Sequence, residues 1–153
     1  LIERFDVETG KRTACITVAS ACMRHIVCTD DQQTAFVSDM YNRQVYKIDL
    51  AAFKITGRCR VYRNPNTIDL LDGRYLFVST RGPNNPEDYT KRSPSNGKIH
   101  IIDTEDMSIL YTFEGGNQPT GLDVSADGSI LCFSDFQDAT LELYRIRRRG
   151  TAD

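Results

Sequence analysis

His25, Asp39 and Asp135 are the residues of this chain best suited to chemistry. An imidazole and two carboxylates on one face can hold a divalent metal or exchange a proton with a substrate. Both aspartates, however, close apolar runs of one pattern, Ala35-Phe-Val-Ser-Asp39 and Leu131-Cys-Phe-Ser-Asp135. In that position a carboxylate can equally bond loop amides at a strand end, and His25 can do the same. Arg24 and Arg81 offer planar guanidinium forks that match a carboxylate or phosphate bidentately. His100 alternates with Ile99 and Ile101 and is expected to face solvent. No G-x-S-x-G, Walker loop, G-x-G-x-x-G or H-E-x-x-H occurs, so no catalytic residue, metal ligand or cofactor is assigned. The leading expectation is accordingly a non-enzymatic binding or scaffold module. The alternative is a hydrolase using carboxylates.

The five cysteines, Cys15, Cys22, Cys28, Cys59 and Cys132, are odd in number and contain no CxxC pair, so at least one is free within the chain. Cys28 and Cys132 fall in apolar runs and are expected to be small buried hydrophobes. A Cys22–Cys28 disulfide is conceivable, whereas the scattered thiols do not suit zinc.

The 153 residues can bury the core of one ordinary domain, and 19 basic residues nearly balance 21 acidic ones. That balance argues against a nucleic-acid partner. The basic run Arg145-Ile-Arg-Arg-Arg149 reads as a solvated strand edge or tail. No apolar stretch approaches the ~20 residues of a membrane span. No signal peptide is visible, but the chain starts at Leu1, which leaves secreted, periplasmic and cytosolic settings open.

The elements that must carry these residues are repeated. Apolar strands end at Asp6, Asp49 and Asp103, with a degraded copy at Arg145, and the successive spacings are 43, 54 and 42 residues. The long middle spacing has a local origin. Four residues separate Met40 from Val45 and Phe136 from Leu141, but seventeen separate Arg81 from Ile99, so thirteen are inserted there. Each unit reads as four strands with the period of two that marks a half-buried strand, or as a continuous apolar run where both faces are covered. First strands are expected at Arg24–Cys28, Thr67–Leu70 and Thr120–Val124, and second strands at Thr34–Asp39, Tyr75–Thr80 and Ile130–Asp135. Third strands follow at Gln44–Asp49, Lys98–Asp103 and Thr140–Ile146, and fourth strands at Ile55–Val61 and Ser108–Phe113. A third strand ending at Asp6 and a fourth at Thr13–Val18 precede them, for thirteen in all. Asp72-Gly73 and Asp127-Gly128 supply tight turns between first and second strands. Almost no helix is expected.

About 42 residues and four strands per repeat mark a β-propeller blade. The fold class is therefore all-β, with about three four-stranded antiparallel blades, taken as a fragment of a seven-bladed propeller. The organisation is outer strands of one blade over 1–19, a blade over 23–61, a blade over 65–114 with an insertion at 82–98, and a blade over 119–146 lacking its outermost strand. Such a segment exposes its terminal apolar faces and is expected to self-associate through them.

The runs Val45-Tyr-Lys-Ile-Asp49, Ile99-His-Ile-Ile-Asp103, Gly115 to Gly128 and Leu131-Cys-Phe-Ser134 resemble the YVTN-repeat propellers of surface-layer and periplasmic type. Pro65 and Pro119 occupy that family's proline slot, and Met23 departs from it. The resemblance implies a periplasmic or cell-surface setting. The chain has no Trp, so it lacks the signatures of the Trp-Asp and quinoprotein propellers.

In a propeller, the segments entering first strands and leaving second strands surround the channel. That projection collects Arg24, His25, Asn66, Thr67, Thr120, Asp39, Arg81 and Asp135 as candidate ligand-binding residues. The insertion adds Asn84, Asn85, Tyr89, Lys91 and Arg92 as a partner loop for a polar or anionic surface. It can also be a decorative surface loop. The ligand, protein or small and polar, is not named by these residues.

Overall fold

The computed structural model describes residues 1–147. Arg148 and Arg149 of the basic run lie outside them. Thirteen strands form four antiparallel sheets. The first holds β1 (Ile2–Phe5) and β2 (Arg12–Ile16), and the second holds β3 (Met23–Cys28), β4 (Thr34–Asp39), β5 (Gln44–Asp49) and β6 (Lys54–Arg60). The third holds β7 (Pro65–Leu71), β8 (Tyr75–Thr80), β9 (Lys98–Asp103) and β10 (Ile109–Glu114), and the fourth β11 (Pro119–Val124), β12 (Ile130–Asp135) and β13 (Thr140–Arg145). Strands within each sheet pair in sequence order. These are about three propeller-like blades, and every described element is a strand.

Each pair of neighbouring sheets encloses one apolar cluster. Ala35, Val37, Tyr46 and Ile48 pack with Ile2 and Ile16 between the first and second sheets. Phe36, Val45, Cys59, Ile68, Leu76, Val78 and Ile102 fill the space between the second and third. Phe77, Ile99, Leu122, Leu131 and Phe133 fill that between the third and fourth. Successive residues of β4 therefore serve opposite clusters, which is why its apolar run is continuous. Emptying a site such as Phe36 costs about 3–5 kcal/mol.

Three expectations are corrected. His100 is buried: Nε2 accepts the Tyr62 amide at 3.1 Å and Nδ1 meets the Thr112 hydroxyl at 2.8 Å. The third sheet is covered on both faces, so the polar member of its alternation points into the contact with the second sheet. Cys28 is exposed and Cys132 only half-buried, and the buried thiol is Cys59, which burial pushes up to about 11. Ile26 shares a face of β3 with Cys28. The two-stranded first sheet leaves Ile26 51% exposed, whereas its counterparts Ile68 and Leu122 are buried by complete neighbours. Cys132 faces outward from the fourth sheet beside Leu143.

The two Asp-Gly turns also differ. Asp72 and Gly73 both take positive φ, and the Arg74 amide bonds the Leu71 carbonyl, as a two-residue hairpin of the primed type requires. The Asp127 connection is longer. Gly128 bonds back to Ser125 and alone takes positive φ, with Asp127 accepting from Ser125 and Ser129. Those bonds hold the Asp127 carboxyl down at about 2. Gln32 takes the glycine's place, at φ 57°, in the same turn of the second sheet.

Candidate ligand face

The face is built on one irregularity made three times. Pairing of first with second strand shifts register between Met23 and Ile26, Pro65 and Ile68, and Pro119 and Leu122. A bulge removes a ladder bond and turns the strand end outward. A serine replaces the bond in each case. The amides of His25, Thr67 and Gly121 donate to the hydroxyls of Ser38, Ser79 and Ser134 at 3.1, 3.1 and 3.0 Å. The first two serines also reach the next sheet: Ser38 donates to the Asn66 carbonyl at 2.5 Å and Ser79 to that of Thr120 at 3.2 Å. These serines were missed in the sequence reading. Their signal was the recurrence of Ser before the last residue of each second strand.

The carboxylates sit at buried strand ends. Asp39 accepts the Cys22 amide at 2.9 Å, the Asn42 side chain at 2.8 Å and the Tyr46 hydroxyl at 3.1 Å. Asp135, equally buried, accepts Thr140 at 3.3 Å and lies against Glu142. Burial first, then the hydrogen bond and charge of Glu142, push the Asp135 carboxyl up to about 7. The backbone of Gly116 passes so close that a Cβ there would lie 2.6 Å from the Asp135 carboxyl carbon. His25 is spent on β7, with Nδ1 2.9 Å from the Ile68 carbonyl and 3.3 Å from its amide. The geometry thus gives Asp39, Asp135 and His25 three separate bonding environments. Among the described residues, no group of three or more His, Cys, Asp or Glu side chains could hold a metal ion.

Arg24 and Arg81 are brought together across the second and third sheets. Arg24 Nε donates to the Asn66 side-chain oxygen at 3.4 Å, and Arg81 Nη2 donates to that of Gln118. Arg81 also lies over the Phe136 ring, 5.9 Å from its centroid. Burial and the positive charge of Arg24 pull the Arg81 guanidinium down from its ordinary value. Its Nε is buried without a hydrogen-bond partner. Thr67 and Thr120 lie half-buried at the same bulges, beside the buried Asn66.

The insertion is docked on the same face. The buried Asn117 side chain accepts the Ser93 amide at 2.9 Å and donates to the Ser93 carbonyl at 3.1 Å. Gln118 Nε2 donates to the Tyr89 carbonyl at 3.3 Å. Arg92 pairs with Asp138, and Lys91 with Glu87 at 3.0 Å. Asn85 folds the loop on itself by donating to the Arg92 carbonyl at 2.9 Å. Asn84 receives Asn64 at 3.3 Å, and the Tyr89 ring is exposed. Gly97 closes the loop against β8, where a Cβ would fall 2.1 Å from the Thr80 carbonyl oxygen.

No protein-family model matches the chain. Antigen Lp49 of Leptospira interrogans serogroup Icterohaemorrhagiae serovar copenhageni (strain Fiocruz L1-130) is 44% identical over 124 residues, covering 80% of this chain. The chain spans only 27% of that curated relative's length. Among solved structures, the hydrazine synthase of Kuenenia stuttgartiensis matches with a TM-score of 0.63 at 20% identity, over 80% of this chain and 31% of that one. A chain of the mitotic checkpoint complex matches with a TM-score of 0.73 at 16% identity, over 94% of this chain and 41% of its own length. Likeness at such identities is one of fold, and the fold these sheets share with both is the β-propeller.

Proposed function

We propose that the chain is a non-enzymatic propeller module of the YVTN-repeat type, binding an acidic partner through its channel face. The observation that carries this reading is the Arg24–Arg81 pair. Two guanidiniums repel one another across two sheets, with no ion pair to either among the described residues. A buried Nε–H without an acceptor costs free energy until a ligand supplies one. A carboxylate of a partner would fill that place bidentately. Asn66, Gln118, Thr67 and Thr120 would set the two arginines, while Asp39, Asp135 and His25 hold the strand ends. Asn84, Asn85 and Tyr89 would extend the contact along the insertion, beside Lys91 and Arg92. A relative named as an antigen supports a periplasmic or cell-surface setting. In the same reading the chain is part of a seven-bladed propeller and self-associates when isolated.

The test is NMR titration with a hexaglutamate peptide at low salt. Shifts should concentrate at Arg24, Arg81 and residues 84–92, and an Arg24→Gln/Arg81→Gln variant should bind about tenfold more weakly, a difference of roughly 1.4 kcal/mol. Equal binding by the variant would overturn the assignment.

A further inference from the structure

A second cationic site lies further out on the same side, between the second and third sheets. A cleft of about 670 Å³ is lined by Arg43, Arg60 and Arg63, with Tyr41, Asn64 and Asn84 among the remaining residues, and no acidic residue lines it. No ion pair or side-chain hydrogen bond engages any of the three guanidiniums among the described residues. Three other arginines are neutralised by an acid: Arg12 has Glu3, Arg74 has Asp103 and Arg92 has Asp138.

The cleft is held in place by the backbone. The Arg43 carbonyl accepts the Val61 amide at 3.1 Å, and the Arg63 carbonyl accepts that of Gly82 at 3.1 Å. Asn64 Nδ2 donates to the Gly82 carbonyl at 2.8 Å, tying the arginine-bearing segment to the insertion.

The fold does not itself require these cations. Arg43 takes φ 56° at the end of the turn after β4, and Ala139 takes φ 54° at the corresponding place after β12. An alanine therefore serves that turn. The residue beside it is Asn42 in the second sheet and Asp138 in the fourth, and Asp138 neutralises Arg92 from the insertion. Asn117, the counterpart of Arg63, is buried and clamps the insertion. The same corner is thus a closed, charge-balanced joint in one repeat and an open, uncompensated one in the other.

We propose that the Arg43–Arg60–Arg63 cleft binds a sugar carrying two or more phosphate or sulfate esters. Each guanidinium presents a fork of N–H donors to a tetrahedral oxyanion, and three of them exceed what a single oxyanion needs. Tyr41 is 70% exposed at the rim and gives the apolar face of a sugar ring a surface to lie on. Asn64 and Asn84 offer amides to its hydroxyls. The site uses neither Arg24 nor Arg81, shares only Asn84 with the insertion contact, and does not depend on that pair.

The experiment is calorimetric titration with inositol hexakisphosphate, with sucrose octasulfate and with unmodified sucrose, at low and high salt. Binding of either anionic sugar and not of sucrose is expected, weakening with salt because the contacts are ionic and exposed. Preference for one of the two esters identifies the source, and equal binding identifies a shared oxyanion site. Arg43→Ala with Arg63→Gln should weaken binding at least tenfold, and should do so equally in an Arg24→Gln/Arg81→Gln background, where the other cationic pair is removed. Arg60→Gln, on an exposed strand-end residue, is the second variant should the first melt early. The proposal is overturned if neither ester binds more tightly than inorganic phosphate, or if the folded cleft variants bind as the parent does.

Discussion

Asp135 and Glu142 face one another in the fourth sheet at the two positions that Asp39 and Tyr46 occupy in the second. In the second sheet the pair is a carboxylate and a hydroxyl donor. In the fourth, two acids meet, so one must hold a proton for them to share a hydrogen bond. The third sheet places His100 where Tyr46 and Glu142 stand. One repeat position thus carries a phenol, an imidazole and a carboxylic acid, and the titrations of Asp135 and His100 are both displaced.

Their signs oppose. The Asp135 carboxyl is raised to about 7 from an ordinary 3.8, so between those values the folded chain binds more protons than the unfolded one. This group's contribution to stability is therefore full on the acid side and lost as pH rises towards 7. Burial lowers His100 to about 4 from 6.5, so the unfolded chain binds more protons in that window and stability rises with pH there. The two slopes offset one another between about pH 4 and 6.5. Thermal melting from pH 4 to 8 should show Asp135→Asn gaining stability with pH across that window. His100→Gln should lose it. Parallel curves for the parent and both variants would contradict the assignment.

Ser79 should matter more than Ser134. Both accept an amide at a bulge, but Ser79 is fully buried and donates to the carbonyls of Thr67 and Thr120, the second of which lies in the next sheet. Removing the hydroxyl leaves a buried amide and carbonyl unmatched, at about 1–3 kcal/mol. Ser134 accepts only the Gly121 amide among the hydrogen bonds of the described residues. Urea unfolding should place Ser79→Ala well below the parent and Ser134→Ala close to it, with m-values unchanged.

Most of the fold was legible because each strand repeats in phase. β4, β5, β8, β9 and β12 have the limits that the apolar runs indicated. What the sequence could not convey was which face of a strand has a neighbour. His100 reads as an outward residue in any one strand, and only the sheet packed beside it makes it an internal acceptor. Cys28 reads as inward for the same reason, and the short first sheet leaves it and Ile26 open. The candidate face was legible as a set of positions, and the pairing of Arg24 with Arg81 needed the bulge to bring them together. Arg43, Arg60 and Arg63 carried no signal in sequence, because 16 or more residues separate Arg43 from the other two and only the strand pairing converges them.

Asn117 should control the insertion. Its buried amide holds the Ser93 amide and the carbonyls of Ser93 and Ser95. Asn117→Ala strips these bonds together, leaving the tip of the loop tied by the Gln118 and Gln137 side chains to the Tyr89 and Thr90 carbonyls and by the Arg92–Asp138 pair, and its end by backbone bonds of Gly97. Exposed ion pairs contribute about 0–1 kcal/mol, so the loop should open locally without global unfolding. Limited trypsin digestion should cleave after Lys91 or Arg92 much faster in the variant, at a melting temperature within a few degrees of the parent. Unchanged cleavage would mean that Asn117 does not clamp the loop.

The outer face of the fourth sheet sets the last expectation. Leu141 and Leu143 are 61% and 64% exposed, beside Ile130 and the half-buried Cys132. At the other end, Phe5 and Ile26 are more than half exposed. Contiguous apolar surface of this kind on a sheet favours association, and among the described residues β13 also presents an unpaired edge. The isolated chain should therefore form dimers or larger species at high micromolar concentration. Leu141→Lys/Leu143→Lys places two like charges on that face and touches neither apolar cluster of the inner one, so it should shift the population to monomer without lowering the melting temperature. Light scattering after size exclusion measures the change, and a parent that stays monomeric at every concentration would refute it.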